Sequence, residues 1–261
     1  MKKLTMIITA VIIGFIMTSC GNKEKDLMNK ANVFYAQAET ELNAIDNWDG
    51  FVTFFQNFKQ KFDDFKAGYS YLKLSQETQD FFSNKKEAFD QMESQKAGEL
   101  FAPSLVKGEQ FAKTLADFGL LYLMTNHVEG AEENVIEGKI RNSLGVTSDA
   151  SDEELEKAKE NWINTILGTT SDASSEEKNK AIEDWLRTNF GFDGFKSEED
   201  GEKVIEHIES IYGNEISILK SYEESSDEMK DIMPEDLKER FEKCKNTIAD
   251  VFDVFALTGW I

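Results

Sequence analysis

Proline is nearly missing from this chain, with two in 261 residues, and histidine is equally rare. With so few prolines, almost nothing removes a backbone donor or locks φ, so long helices can run uninterrupted. His127 and His207 stand in neither Glu-x-x-His nor His-Glu-x-x-His order, so the ligand spacings of di-iron bundles and zinc metalloproteases are absent. No Gly-x-Ser-x-Gly, Walker or dinucleotide glycine pattern occurs. Basic charge is also short: 29 Lys and Arg face 50 Asp and Glu, for a net charge of −21. Nucleic-acid binding depends on clustered cations that release counterions from phosphate, so this composition argues against it. Carboxylate pairs are too frequent here for any one to indicate acid–base chemistry, and the sequence predicts no enzyme, no metal and no cofactor.

Met1-Lys2-Lys3 is a positive start, and Leu4 to Met17 form an uncharged, mostly apolar run. That run falls short of the roughly 20 apolar residues a membrane-spanning helix needs and has the length of a secretory signal. Met17-Thr18-Ser19-Cys20 follows it. This ending resembles the lipobox of bacterial lipoproteins, in a form like that of Bacteroidota. The resemblance implies removal of residues 1–19 and acylation of Cys20, a covalent lipid anchor that is in effect permanent. Gly21 follows the cysteine where an inner-membrane retention signal would place Asp, so the expected address is the cell envelope, at the outer membrane. With Cys20 lipidated, Cys244 has no partner for an intrachain disulfide.

Apolar residues recur at helical spacing almost throughout. Leu27, Ala31, Phe34, Ala38, Leu42 and Ile45 form one stripe. Phe51, Phe55, Phe58, Phe62, Phe65, Tyr69 and Leu72 form a stricter seam of alternating four- and three-residue steps, filled with aromatics. Asp46 to Gly50 make the turn between these two helices. A third helix is expected over 76–96, with Phe82, Lys85, Phe89 and Met92 on one face. Pro103 and Ser104 would open a fourth, whose stretch from Phe111 to Met124 is apolar all round and belongs in the centre of a core. Pro234, at a first helical position, leads into the seam Leu237, Phe241, Cys244, Ile248, Val251 and Phe255, where Cys244 serves as a small apolar residue. His127 should end the buried helix, His207 should be exposed, and the uncharged tail from Ala256, with Trp260, should dock on the body.

A second kind of order lies between 140 and 208. The segment from Ile140 to Ser151 recurs 23 residues later, from Ile163 to Ser174, and the match runs on to Trp162 and Trp185. A weaker third copy follows to Glu206. In each unit Leu-Gly ends a helix, Thr-Ser-Asp-Ala is a loop, and Ser151 or Ser174 caps the next helix with Glu154 or Glu177 three residues on. The tryptophans, one per unit, are read as stacking anchors. The stretch from Leu144 to Leu155 also resembles the opening of a J-domain, but that module's His-Pro-Asp triplet has no counterpart here. Residues 129–209 hold 22 acidic and 9 basic side chains. Such a face either keeps the protein soluble or docks a basic partner.

The sequence thus predicts an all-α antiparallel helical bundle with a three-copy, 23-residue helix–turn repeat. Its divisions are a signal peptide over 1–19, an N-terminal bundle over 20–130, an acidic repeat region over 131–213, and C-terminal helices over 214–261 that pack on the bundle. The expected function is non-enzymatic binding at the envelope, with the membrane held through the Cys20 anchor and a protein partner, basic in charge, captured for interaction or immunity. Candidate interaction residues are Trp162, Trp185, Glu153, Glu154, Glu176 and Glu177. The alternative is a carrier or sensor of a hydrophobic small molecule, with Phe55, Phe62 and Phe118 lining its pocket.

Overall fold

The periodic stretches form helices in the structure, a computed structural model that describes residues 23–70, 72–125, 133–191 and 198–257. In chain order these are α1 Lys23–Asn43, α2 Trp48–Ala67, α3 Gln76–Thr125, α4 Glu133–Ser143, α5 Asp152–Leu167, α6 Ser175–Phe190, α7 Glu198–Glu223, α8 Asp227–Ile232 and α9 Glu235–Leu257. No strand occurs among the described residues, and the protein is all-α. Its contacts divide it into two units, one ending at Ala97 and the other starting at Gly98.

The first unit is an up–down–up arrangement of α1, α2 and the start of α3. Phe34 of α1 stacks on Phe65 of α2, while Lys61 reaches back to Glu41 at 3.0 Å, so these helices run antiparallel. Tyr35 packs on Phe89, and Phe58 approaches the same ring at 4.4 Å. Asn47 caps α2 by accepting the Gly50 amide at 2.8 Å, which fixes the predicted turn.

The fully buried set on α1 is Leu27, Ala31, Tyr35, Ala38 and Leu42. Tyr35 takes the place the four–three pattern gave to Phe34. The cause is that α1 touches two helices: residue 34 meets the α2 rings, whereas residue 35 sits between Phe62 of α2 and Phe89 of α3. A helix between two partners needs a wider apolar face than one seam. The same reasoning puts Phe54, between Phe58 and Phe89, into the core, with Phe55 half-buried.

The two helices expected over 76–96 and from Pro103 are one helix of 50 residues. Phe89, Ala97, Phe101 and Leu105 are all buried at multiples of four residues, so the apolar face continues straight across Pro103, whose ring is exposed. Proline costs the helix one hydrogen bond, and the burial on either side outweighs that loss.

The second unit contains the rest of α3. Phe101 packs against Tyr222 of α7 and Phe241 of α9. Helix α7 runs antiparallel to α3, since Lys107 pairs with Glu215 and Phe111 with Tyr212. The stretch that reads as apolar all round is central: Leu115 and Phe118 join a cluster with Leu186, Phe190 and Val251, and Leu120 and Leu123 join another with Ile136, Ile140 and Leu155. On α9, Leu237, Phe241, Cys244 and Val251 are buried, and burial pushes the Cys244 thiol above its ordinary pKa. Pro234 lies one residue ahead of α9, and its carbonyl accepts the Lys238 amide at 3.1 Å. Cys20, His127, Ser197 and Trp260 lie outside the described residues, as do the side chains of Phe255 and the tail.

Candidate binding surface

Helices α5 and α6 are built to one plan. Ser151 and Ser174 take almost the same backbone angles, φ −66° and ψ 160° against φ −65° and ψ 159°. Each hydroxyl accepts the amide three residues on at 3.3 Å, and each returning carboxylate, Glu154 or Glu177, accepts the serine amide at 2.8 Å. That backbone bond, aided by the serine hydroxyl, holds both carboxyls below the ordinary glutamate range. The loops match as well: Asp149 and Asp172 are each lowered by a threonine hydroxyl two residues back, Thr147 and Thr170. Gly145, Gly168 and Gly191, spaced by 23 residues, all adopt positive φ at helix ends.

These features establish two copies of the unit. A third is not established: the cap expected at Ser197 lies outside the described residues, and α7 continues for 26 residues where a copy would stop.

All four glutamates singled out in the sequence are exposed in the first turns of α5 and α6, where the helix dipole favours negative charge. Glu154 and Glu177 are committed to capping, whereas Glu153 and Glu176 lie outside the boxes. The two tryptophans face the other way. Trp162 packs on the cluster of Leu120, Leu123, Ile136, Ile140 and Leu155, and Trp185 on that of Phe118, Leu186 and Phe190. Each is half-buried, so the rings are anchors that set the helices while the carboxylates meet solvent.

The copies differ at one informative place. Arg141, 12% exposed at its side chain, donates to Glu137 at 2.7 Å and to the Ala150 carbonyl at 3.0 Å, so it clamps the first loop. At the matching position Asn164 accepts from the Thr169 hydroxyl at 2.9 Å. Lys178 then bridges from α6 to Glu160 of α5 at 3.2 Å.

Three features were missed by pattern reading. Glu93 occupies a core position of α3 between Phe89 and Ala97, 3% exposed, with Oε1 lacking any hydrogen-bond partner. Burial first, and the Asp90 charge second, push its pKa up to about 8. The four-residue progression from Phe89 through Glu93 to Ala97 was the available signal. Burial likewise raises the Tyr35 hydroxyl to about 12, with the Asp90 and Glu93 charges adding to it. His207, expected to be exposed, is half-buried with an unpartnered Nε2, because its ring lies over Gly191, where the missing side chain leaves room for it.

The residues named for a hydrophobic pocket are placed as follows: Phe55 and Phe62 are half-buried on α2, Phe62 against Phe34 and Phe58, and Phe118 is buried against Phe190. Among the described residues no group of three His, Cys, Asp or Glu side chains is placed to hold a metal, and no helix is long and apolar enough to cross a membrane. Comparison with protein-family models, with curated proteins and with solved structures finds no match for this chain.

Proposed function

We propose that this protein is a lipid-anchored lipoprotein of the bacterial cell envelope that acts by binding a basic protein partner, without catalysis. One observation carries the reading: two successive helices with duplicated caps start with exposed acidic residues, while their tryptophans are turned into the core. Duplication of local geometry displays the same charge twice at a fixed spacing, the form a multivalent electrostatic contact takes. The signal-like start supplies the location, with Cys20 acylated and the outer membrane as the expected surface. An immunity role, in which a cationic toxin is captured, is one specific form of this proposal.

The test uses the full acylated protein as bait in envelope extracts at low and high salt. A partner held at low salt, released by salt, and lost from the Glu153→Gln/Glu176→Gln variant supports the proposal. That variant leaves both capping boxes intact. Capture that does not change in the variant, or no capture at all, overturns it.

A second reading, a carrier of a hydrophobic molecule, is supported by the half-buried rings of Phe34, Phe58 and Phe62. Native mass spectrometry of protein taken from its own membrane should then reveal a bound small molecule, and protein free of added mass argues against it.

A further inference from the structure

We infer that the end of the first unit nearest Cys20 is a lipid-contacting surface, seated on the membrane that holds the anchor. The inference rests on the lipid-anchor reading and adds a contact that an anchor alone does not require.

Chain length sets the position. Helix α1 begins at Lys23, and three residues span at most about 11 Å, so the start of α1 lies within that distance of Cys20. The turn between α2 and α3 is tied to this same place. The Glu24 carboxylate accepts the Ser75 amide at 3.1 Å, the Ser75 hydroxyl at 2.5 Å and the Thr78 hydroxyl at 2.6 Å. Six residues further along α1, Lys30 Nζ lies 5.8 Å from the centre of the Tyr69 ring. The lipidated residue therefore keeps the α2–α3 turn close to the bilayer.

Burial of the aromatics fades toward that end. At the start of α2, Trp48 is 2% exposed, Phe51 0% and Phe54 8%. Further along, Phe58, Phe62, Phe65 and Tyr69 are all only half-buried. Helix α3 mirrors this, with Phe89 buried but Phe81 and Phe82, nearer the turn, half-covered. In the turn itself Leu72 and Leu74 are half-buried beside the exposed Lys73. Rings and aliphatic chains with one face left over, edged by lysines, suit the boundary between headgroups and acyl chains.

Charge is permissive on this side as well. Residues 20–97 carry 10 basic and 13 acidic side chains, whereas residues 98–261 carry 17 and 37. The first unit approaches an anionic lipid surface at little electrostatic cost, and a face as acidic as the second is repelled. The tether then does the rest, since it holds the local concentration of the surface in the millimolar range and makes even weak affinity sufficient. An internal small ligand would account for half-buried Phe58 and Phe62, but not for Phe81, Phe82, Leu72 and Leu74, which carry the uncovered set to the turn at the anchored end.

Amide hydrogen exchange on the full protein tests this. The acylated chain is incorporated in phosphatidylethanolamine–phosphatidylglycerol vesicles and compared with the Cys20→Ser chain in solution. Peptides covering residues 66–77 should exchange at least threefold more slowly on the vesicles, and peptides covering 44–50, at the far end of α2, should be unchanged. Leu72→Glu should abolish the difference while leaving acylation, flotation with vesicles and thermal melting unaltered. Acylated protein that floats but shows no slowing at 66–77, or slowing that survives Leu72→Glu, overturns the contact and leaves the anchor standing. Protein that takes up no labelled palmitate and does not float overturns the anchor, and the contact with it.

Discussion

Arg240 of α9 holds Glu109 of α3 by two parallel hydrogen bonds, Nε to Oε1 at 2.8 Å and Nη2 to Oε2 at 2.7 Å. The side chains are 38% and 36% exposed, so solvent screens the pair, and its worth is set by the bidentate geometry more than by charge. A double-mutant cycle with Arg240→Ala and Glu109→Ala, read by urea unfolding, should give a coupling of about 1 kcal/mol. Arg240→Lys should lose most of it, because an ammonium cannot donate from a planar fork. The Arg240 bonds depress the Glu109 pKa, so this stability is present above the ordinary carboxylate range and is lost as pH falls through the lower, folded-state value.

Glu93 gives the opposite sign. Its folded pKa of about 8 exceeds the ordinary glutamate value of 4.5, so the unfolded chain gives up the proton first. The native state therefore loses stability progressively as pH rises from about 4.5 to about 8, and the loss then levels off. Glu93→Gln removes this titration. Relative to wild type, the variant should gain on the order of 4 kcal/mol between pH 5 and pH 9, measured by denaturant titration at each pH. A difference between variant and wild type that is constant with pH would show that the carboxyl is already ionised in the fold.

The caps of α5 and α6 predict a matched pair of effects. Ser151→Ala and Ser174→Ala should each destabilise by about 1 kcal/mol, and the two values should agree closely, because the two sites share backbone angles and bond lengths. Amide exchange localised to the first turn of each helix is the sensitive readout.

The glycines that end these helices should differ. Gly168 has φ +65° with open space where a side chain would go, so Gly168→Ala should cost about 1 kcal/mol for the left-handed backbone alone. Gly191 has φ +72°, and a Cβ there would lie 2.8 Å from the His207 ring. Gly191→Ala should therefore destabilise more than Gly168→Ala, and His207→Ala should recover the excess but not the backbone part.

The local chemistry of the fold was open to reading from the sequence. Caps and stops depend on residues three or four apart, so Ser151 with Glu154 and Leu167 with Gly168 declare themselves without knowledge of any neighbour. What depends on neighbours was less visible. Whether Phe34 or Tyr35 is buried turns on how many helices α1 touches, and whether Pro103 starts a helix turns on the burial of Phe101 and Leu105 on either side of it. The core carboxyl of Glu93 was hidden by reading α3 along Phe89 and Met92, three residues apart, when the buried face advances by four. For the surface, the sequence singled out six residues, and the fold separates them into two inward rings and four outward acids.

The duplicated unit closes every backbone seam within itself, and this bears on how the chain can change length. Excising residues 146–168 would join Gly145 directly to Thr169, producing Leu-Gly-Thr-Thr-Ser-Asp-Ala-Ser in place of Leu-Gly-Val-Thr-Ser-Asp-Ala-Ser. The helix stop, loop and serine cap all survive the splice, and the downstream helix keeps its phase. A chain shortened or lengthened by one 23-residue period would therefore keep intact junctions. Such a chain would carry one acidic helix start fewer or one more on this surface.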